Sequence, residues 1–142
     1  MAIQATKVNL TAPDRYVSED ARMTTRATFV AVTLDCASPK ELAGFYAAIT
    51  GYETQYASDD YAYIGDETHA IGFQRVDERK PAAWPGPDKQ FHLDFRVPDV
   101  EQAVRDYVGL GATRPDFQPG DGAWVVLADP EGHLFCVCPP RT

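Results

Sequence analysis

In the stretch FHLDFRVPD, Phe91 to Asp99, ionisable and apolar residues alternate: His92, Asp94 and Arg96 interleave with Leu93, Phe95 and Val97. A strand sends successive side chains to opposite faces, so the imidazole, carboxylate and guanidinium share one side. A carboxylate on the same face as a histidine can orient the ring and raise its pKa, which is what proton transfer uses. His92 and Asp94 are therefore the candidate catalytic pair. Further along, HLFCVCP puts Cys136 and Cys138 on the face opposite Phe135 and Val137. A thiol reacts or ligates as the thiolate, so Cys136 would need a base such as His92 beside it. Equivalent faces of earlier strands carry Thr33 and Asp35, in FVAVTLD, and Gln74, in AIGFQRV. Tyr61, Tyr63, Trp84 and Trp124 supply rings of the kind that wall small-molecule pockets; of these, Tyr63 and Trp124 are taken as ligand-binding.

Those groups need elements to hold them, and the chain writes one set of elements twice. FVAVTLD reads as a strand with Val30, Val32 and Leu34 on its apolar face. Ser38 then stands at a helix N-cap position, with Pro39 at the first helical residue and Glu41 at the third. Leu42, Phe45, Tyr46 and Ile49 recur at helical spacing until Gly51. The second half repeats this order. FHLDFRV is the strand, Asp99 the cap, and Val100, Ala103, Val104 and Tyr107 the helical stripe. Setting Ser38 on Asp99 aligns Val32 with Leu93, Leu34 with Phe95 and Ala31 with His92. Three strand-like pieces follow each helix: YETQYAS, YAYIG and AIGFQRV, then ATRPDFQ, AWVVLAD and HLFCVCP. Turns such as GDET, PGDG and DPEG separate them.

The expected fold is thus α+β, two βαβββ modules in tandem whose mixed sheets curve into a cup, with helices on the outer faces. Module 1 spans about 28–79, a Pro-rich linker 80–89, and module 2 about 90–139, within one domain over 27–142. Residues 1–26 lack periodicity and are expected to form a flexible extension. His133, in the DPEGH turn, is expected to face solvent or cap the turn, and His69 lies in a hairpin.

The formal net charge of −8 excludes a nucleic-acid partner, which would need a basic surface. No apolar run approaches the ~20 residues of a membrane span, and a cytoplasmic location is expected. Three cysteines, Cys36, Cys136 and Cys138, have neither the parity nor the spacing of a disulfide or zinc framework.

The duplicated units, the H-x6-D opening of the second (His92 to Asp99) and the closing DPEGHLF resemble the vicinal oxygen chelate superfamily. The phrases LDCASPKELAGFYAAITGYE, FHLDFRVPDVEQAV and LADPEGHLFCVC resemble its glyoxalase-like, bleomycin-resistance-like branch. The resemblance covers about residues 28–139. It implies the cup fold and, in the superfamily's metal enzymes, four ligands on the first and last strands of the two units. Carried over, those positions fall on Ala31, Gln74, His92 and Cys136. Ala31 cannot ligate, Gln is a weak donor, and a thiolate suits softer ions than the family's oxygen chemistry. No metal or other cofactor is therefore expected; a divalent ion, if held, would fall to Gln74, His92 and Cys136.

Three function classes follow. The first is a small-molecule binder of the bleomycin-resistance type, its ligand cationic or aromatic. The second is a lyase or isomerase of glyoxalase type using His92 and Asp94, with or without metal. The third is a structural domain with a vestigial cup. The resemblance also implies a homodimer.

Overall fold

The computed structural model describes residues 26–141, together with the backbone of two short strands, β1 (Ala5–Val8) and β2 (Arg15–Ser18), which pair antiparallel. The expected flexible extension over 1–26 otherwise lies outside the described residues.

The first unit runs β3 (Val32–Cys36), α1 (Pro39–Thr50), β4 (Thr54–Ala57), β5 (Tyr61–Gly65) and β6 (Ala70–Arg75). Its sheet has the order β3-β6-β5-β4, with β3 parallel to β6 and the other pairs antiparallel. The second unit runs β7 (Leu93–Arg96), α2 (Val100–Gly109), β8 (Val125–Ala128) and β9 (Leu134–Cys138). Its sheet has the order β7-β9-β8, with β7 parallel to β9 and β8 antiparallel to it. Each parallel pair needs a crossover, and in both units the helix supplies it.

Two strands start later than their patterns predict. Val30 was expected to pack on a helix, yet it is 62% exposed, and Phe91 is 88% exposed. The parallel ladder of β3 starts at Val32 opposite Ile71, and that of β7 at Leu93 opposite Phe135. Residues ahead of these points have no strand beside them to hold them against the core.

The helix ends also differ. Asp99 caps α2 as its sequence suggests, accepting from the Gln102 N–H at 3.0 Å. Ser38 makes no side-chain cap at α1. Glu131, from the distant DPEGH turn, takes that role: its carboxylate accepts from the backbone N–H groups of Ala37 and Ser38. An anion at a helix N-terminus satisfies orphan donors and complements the helix dipole. At the other end Gly51 adopts φ 75°, the left-handed conformation that closes α1, and donates to the Ala47 carbonyl.

The predicted strand ATRPDFQ is reduced to one bridge, Thr113 to Ala128. Pro115 has no N–H to continue a ladder. The side chain of Gln118 replaces it: its Oε1 accepts from the Val126 N–H, and its Nε2 donates to the Val126 carbonyl, both at 2.8 Å. One side-chain amide therefore pairs the outer edge of β8.

A single core joins the units. Tyr46 on α1 stacks on Phe73 of its own sheet and meets Phe95 and Phe135 of the other, with centroids 5.7–6.2 Å apart. Phe73, Phe135, Leu127 and Ile64 are fully buried, each contributing roughly 1.5–3 kcal/mol of burial free energy. The apolar faces of both sheets are spent on this core, leaving their polar faces for other uses.

Candidate functional site

The polar face of the second sheet is built by strand alternation. With Leu93 and Phe95 turned to the core, His92, Asp94 and Arg96 emerge on the opposite side. The parallel register sets Asp94 beside Cys136 and Arg96 beside Cys138. The antiparallel partner β8 adds Val126, opposite Cys136. Trp124 precedes β8, and the linker folds over this face to bring Trp84 and Lys89. These residues surround a cavity of about 430 Å³, within the range of small-molecule sites.

The linker is held in place by its own contacts. The Trp84 Nε1–H donates to the Phe117 carbonyl at 3.2 Å, and the two rings meet edge-to-face at 5.7 Å. Lys89 Nζ lies 5.6 Å from the Trp84 ring centroid, within the reach of a cation–π contact. Gly120 permits the approach of Trp124, since a Cβ there would fall 2.6 Å from the Trp124 carbonyl and 2.9 Å from its ring.

A line of polar contacts crosses the cavity. Lys89 Nζ stands 3.3 Å from His92 Nδ1, and His92 Nε2 stands 3.2 Å from Asp94 Oδ1. An ammonium only donates, so the Lys89 contact makes Nδ1 the acceptor and puts the proton of the neutral ring on Nε2, near Asp94 but not in an aligned hydrogen bond. Asp94 and Cys136 are cross-strand partners, with carboxylate oxygen and thiol sulfur within 4.8 Å. Burial, then Asp94, push that thiol up to about 11, and burial raises Cys138 as well. A raised pKa leaves less thiolate at neutral pH, so Cys136 is a poor nucleophile unless a base draws off its proton.

His92, Asp94 and Cys136 offer a nitrogen, an oxygen and a sulfur within 4.8 Å of one another. With one oxygen among three donors, this set does not suit a hard divalent cation. His92 presents an N–H, not a lone pair, on the side of the other two donors. The Lys89 ammonium, 3.3 Å from His92 Nδ1, adds a like charge beside the donors. Gln74, expected as a third donor, pairs with Asp35 and Tyr61 in the first sheet and does not line the cavity. Ala31 offers no donor atom.

The predicted site residues thus fall into two groups. The cavity gathers His92, Asp94, Trp124 and Cys136. Thr33, Asp35, Tyr63 and Gln74 cluster on the first sheet around Gly72, by the pairings Thr33–Gly72, Asp35–Gln74 and Tyr63–Gly72, and none of the four lines the cavity. Tyr61 Oη and Thr33 Oγ1 close over Gly72, where a Cβ would lie 2.7 and 2.8 Å from them. Arg75, at the end of the same strand, pairs with Asp60 and Asp77. Sequence reasoning missed Pro119 and Val126 of the cavity and, among its charged residues, Lys89. The available signal for Lys89 was its place three residues before His92, at the end of the linker that carries Trp84.

His133 does not face solvent. Its Nε2 donates to the Asp35 carbonyl at 2.7 Å, and Nδ1 lies 2.8 Å from Asp129 Oδ2. That second contact is short but not aligned as a hydrogen bond. His133 is a bridge between units.

The sequence profile of the glyoxalase-like domain family matches residues 31–138. No curated protein matches significantly in sequence. Among solved structures, the chain resembles a glyoxalase/bleomycin resistance protein/dioxygenase family enzyme from Burkholderia phytofirmans at TM-score 0.62 and 18% identity, covering 78% of this chain and 96% of that one. It resembles a fosfomycin resistance protein from Listeria monocytogenes at TM-score 0.62 and 16% identity, covering 82% and 96%. A lactoylglutathione lyase from Agrobacterium tumefaciens aligns at TM-score 0.55 and 17% identity, covering 82% and 96%. At these identities the likeness is one of fold.

Proposed function

Because this chain belongs to the glyoxalase-like domain family, within the vicinal oxygen chelate superfamily, we propose that it is a metal-independent small-molecule binder of the bleomycin-resistance type, whose site is the second-sheet cavity. One observation carries this reading: both tryptophans of the chain wall the same cavity, over a floor of Val126 and Cys136 with a charged rim. Aromatic walls with a few placed polar groups are what small-molecule sites offer. Locating the ligand there also makes the site easy to watch, since the two indole N–H resonances both report on it. A fragment screen by nitrogen–proton correlation spectra should shift those resonances. Trp124→Ala should abolish the binding of any hit that shifts them. Hits that leave both indole signals unmoved, and bind Trp124→Ala as well as the native chain, would sink the proposal.

The His92–Asp94 pair supports a second reading, a lyase or isomerase of glyoxalase type. In the arrangement seen here both ring nitrogens are engaged. His92 could take a proton only after Lys89 leaves Nδ1, so catalysis would require a ligand that draws Lys89 away. Turnover by the native chain that is lost in both His92→Ala and Asp94→Asn would favour this reading.

We read the protein as a homodimer, with the exposed Phe29, Val30 and Phe91 as the apolar surface available for pairing. None of the described helices is long and apolar enough to cross a membrane. A cytoplasmic location remains part of the proposal.

A further inference from the structure

Of the cationic and aromatic ligands the sequence allows, a cationic one would need inward carboxylates such as Asp35 and Asp94 to face one space. The structure separates them: Asp35 sits in the first sheet beside Gln74, outside the cavity. Within the cavity the balance is reversed. Lys89 and Arg96 both line it, against the single carboxylate of Asp94. That carboxylate stands 3.2 Å from His92 Nε2. A chain of net charge −8 has therefore placed an excess of positive charge at the rim of its aromatic cavity. A cationic guest would meet two like charges and one carboxylate. An anionic head group would meet two donors, each able to form charge-assisted hydrogen bonds. Lys89 rests on the Trp84 ring and His92 Nδ1, both weak partners compared with a carboxylate, so an anion can recruit it. Beyond the rim, the indoles of Trp84 and Trp124 and the side chains of Pro119 and Val126 offer apolar surface.

We infer that the ligand is a planar aromatic carboxylate, its ring held among Trp84, Trp124 and Val126 and its carboxylate by Lys89 and Arg96. This rests on the cavity being the binding site, as proposed above, and adds the chemical class that fills it.

Three probes of one shape test it: 2-naphthoate, 2-naphthalenemethanol and 2-(aminomethyl)naphthalene, each titrated into the full chain by calorimetry with the indole N–H resonances followed in parallel. The carboxylate should bind about tenfold or more tighter than the alcohol, and the amine weakest. Lys89→Gln and Arg96→Gln should each remove most of the carboxylate's advantage while leaving the alcohol's affinity within about twofold. Because the alcohol binds through the aromatic surface alone, its unchanged affinity also shows that the variants are folded. Equal affinities for the three probes, or the amine binding tightest, would overturn the anionic assignment and leave the cavity as the site. If no probe moves either indole resonance, both the assignment and the underlying proposal fail.

Discussion

The Tyr46 hydroxyl donates to the Asp129 carboxylate across 2.8 Å, joining the first unit's helix to the turn that leads into the last strand of the second. Asp129 is 2% exposed and also accepts from the backbone N–H groups of Glu131 and His133. Burial, then the Asp129 charge, push the Tyr46 hydroxyl far above the ordinary phenol range. This contact, with the His133 bridge and the Glu131 cap, holds the two units in one arrangement without a shared strand pair.

Tyr46→Phe keeps the ring stack but leaves a buried carboxylate oxygen without its hydroxyl donor. The expected loss is about 1–3 kcal/mol of unfolding free energy, read by urea denaturation. A change within error would mean that Asp129 is satisfied by its backbone donors alone.

Glu131 caps a helix some ninety positions earlier in the chain. Glu131→Ala should cost about 1–2 kcal/mol, with Glu131→Gln in between because its amide oxygen still accepts without the charge. The order native, Gln, Ala in melting temperature is the check. Ser38→Ala, by contrast, should be nearly silent, since its hydroxyl caps nothing.

Burial pushes the thiols of Cys36 and Cys136 from the ordinary 9.0 up to about 11, with Glu131 and Asp94 respectively adding to the rise. The unfolded chain releases these protons at lower pH than the folded one. Their contribution to stability is therefore fully present below pH 9 and is lost as pH rises from there through about 11. Denaturation curves collected across that window should show a decline, flattened in Cys36→Ala and Cys136→Ala. A decline equally steep in both variants would assign it to other groups.

Lys89 on Nδ1 keeps the His92 proton on Nε2 and so keeps the ring from facing Asp94 and Cys136 as a ligand. The native chain should hold no stoichiometric zinc when purified without chelator. Lys89→Met removes the donor, and the proton can shift to Nδ1. That variant should bind zinc about tenfold or more tighter than the native chain in a chelator competition assay. Stoichiometric zinc in the native protein, lost in His92→Ala, would contradict the tautomer assigned here.

Much of this architecture follows from local pattern. Alternation in FHLDFRV and HLFCVCP is enough to put His92, Asp94 and Cys136 on one face, because side-chain direction in a strand depends only on parity. Asp99 and Gly51 end their helices by contacts within a few residues. The duplicated order of elements carries the fold class and the family.

What the pattern could not carry was the meeting of distant segments. Parity places Thr33, Asp35, Tyr63 and Gln74 on a polar face, but it does not say that this face belongs to a different sheet from the cavity. Lys89 and Trp84 belong to the site only because the linker folds back over β7 and β9, a contact without periodic signal. Glu131 displaces Ser38 as the helix cap, and Gln118 stands in for a strand, through partners that only the folded chain brings within hydrogen-bond reach. The sequence alone determined which faces are polar. Tertiary packing decided which polar groups share a space, because that depends on how two sheets meet across one core.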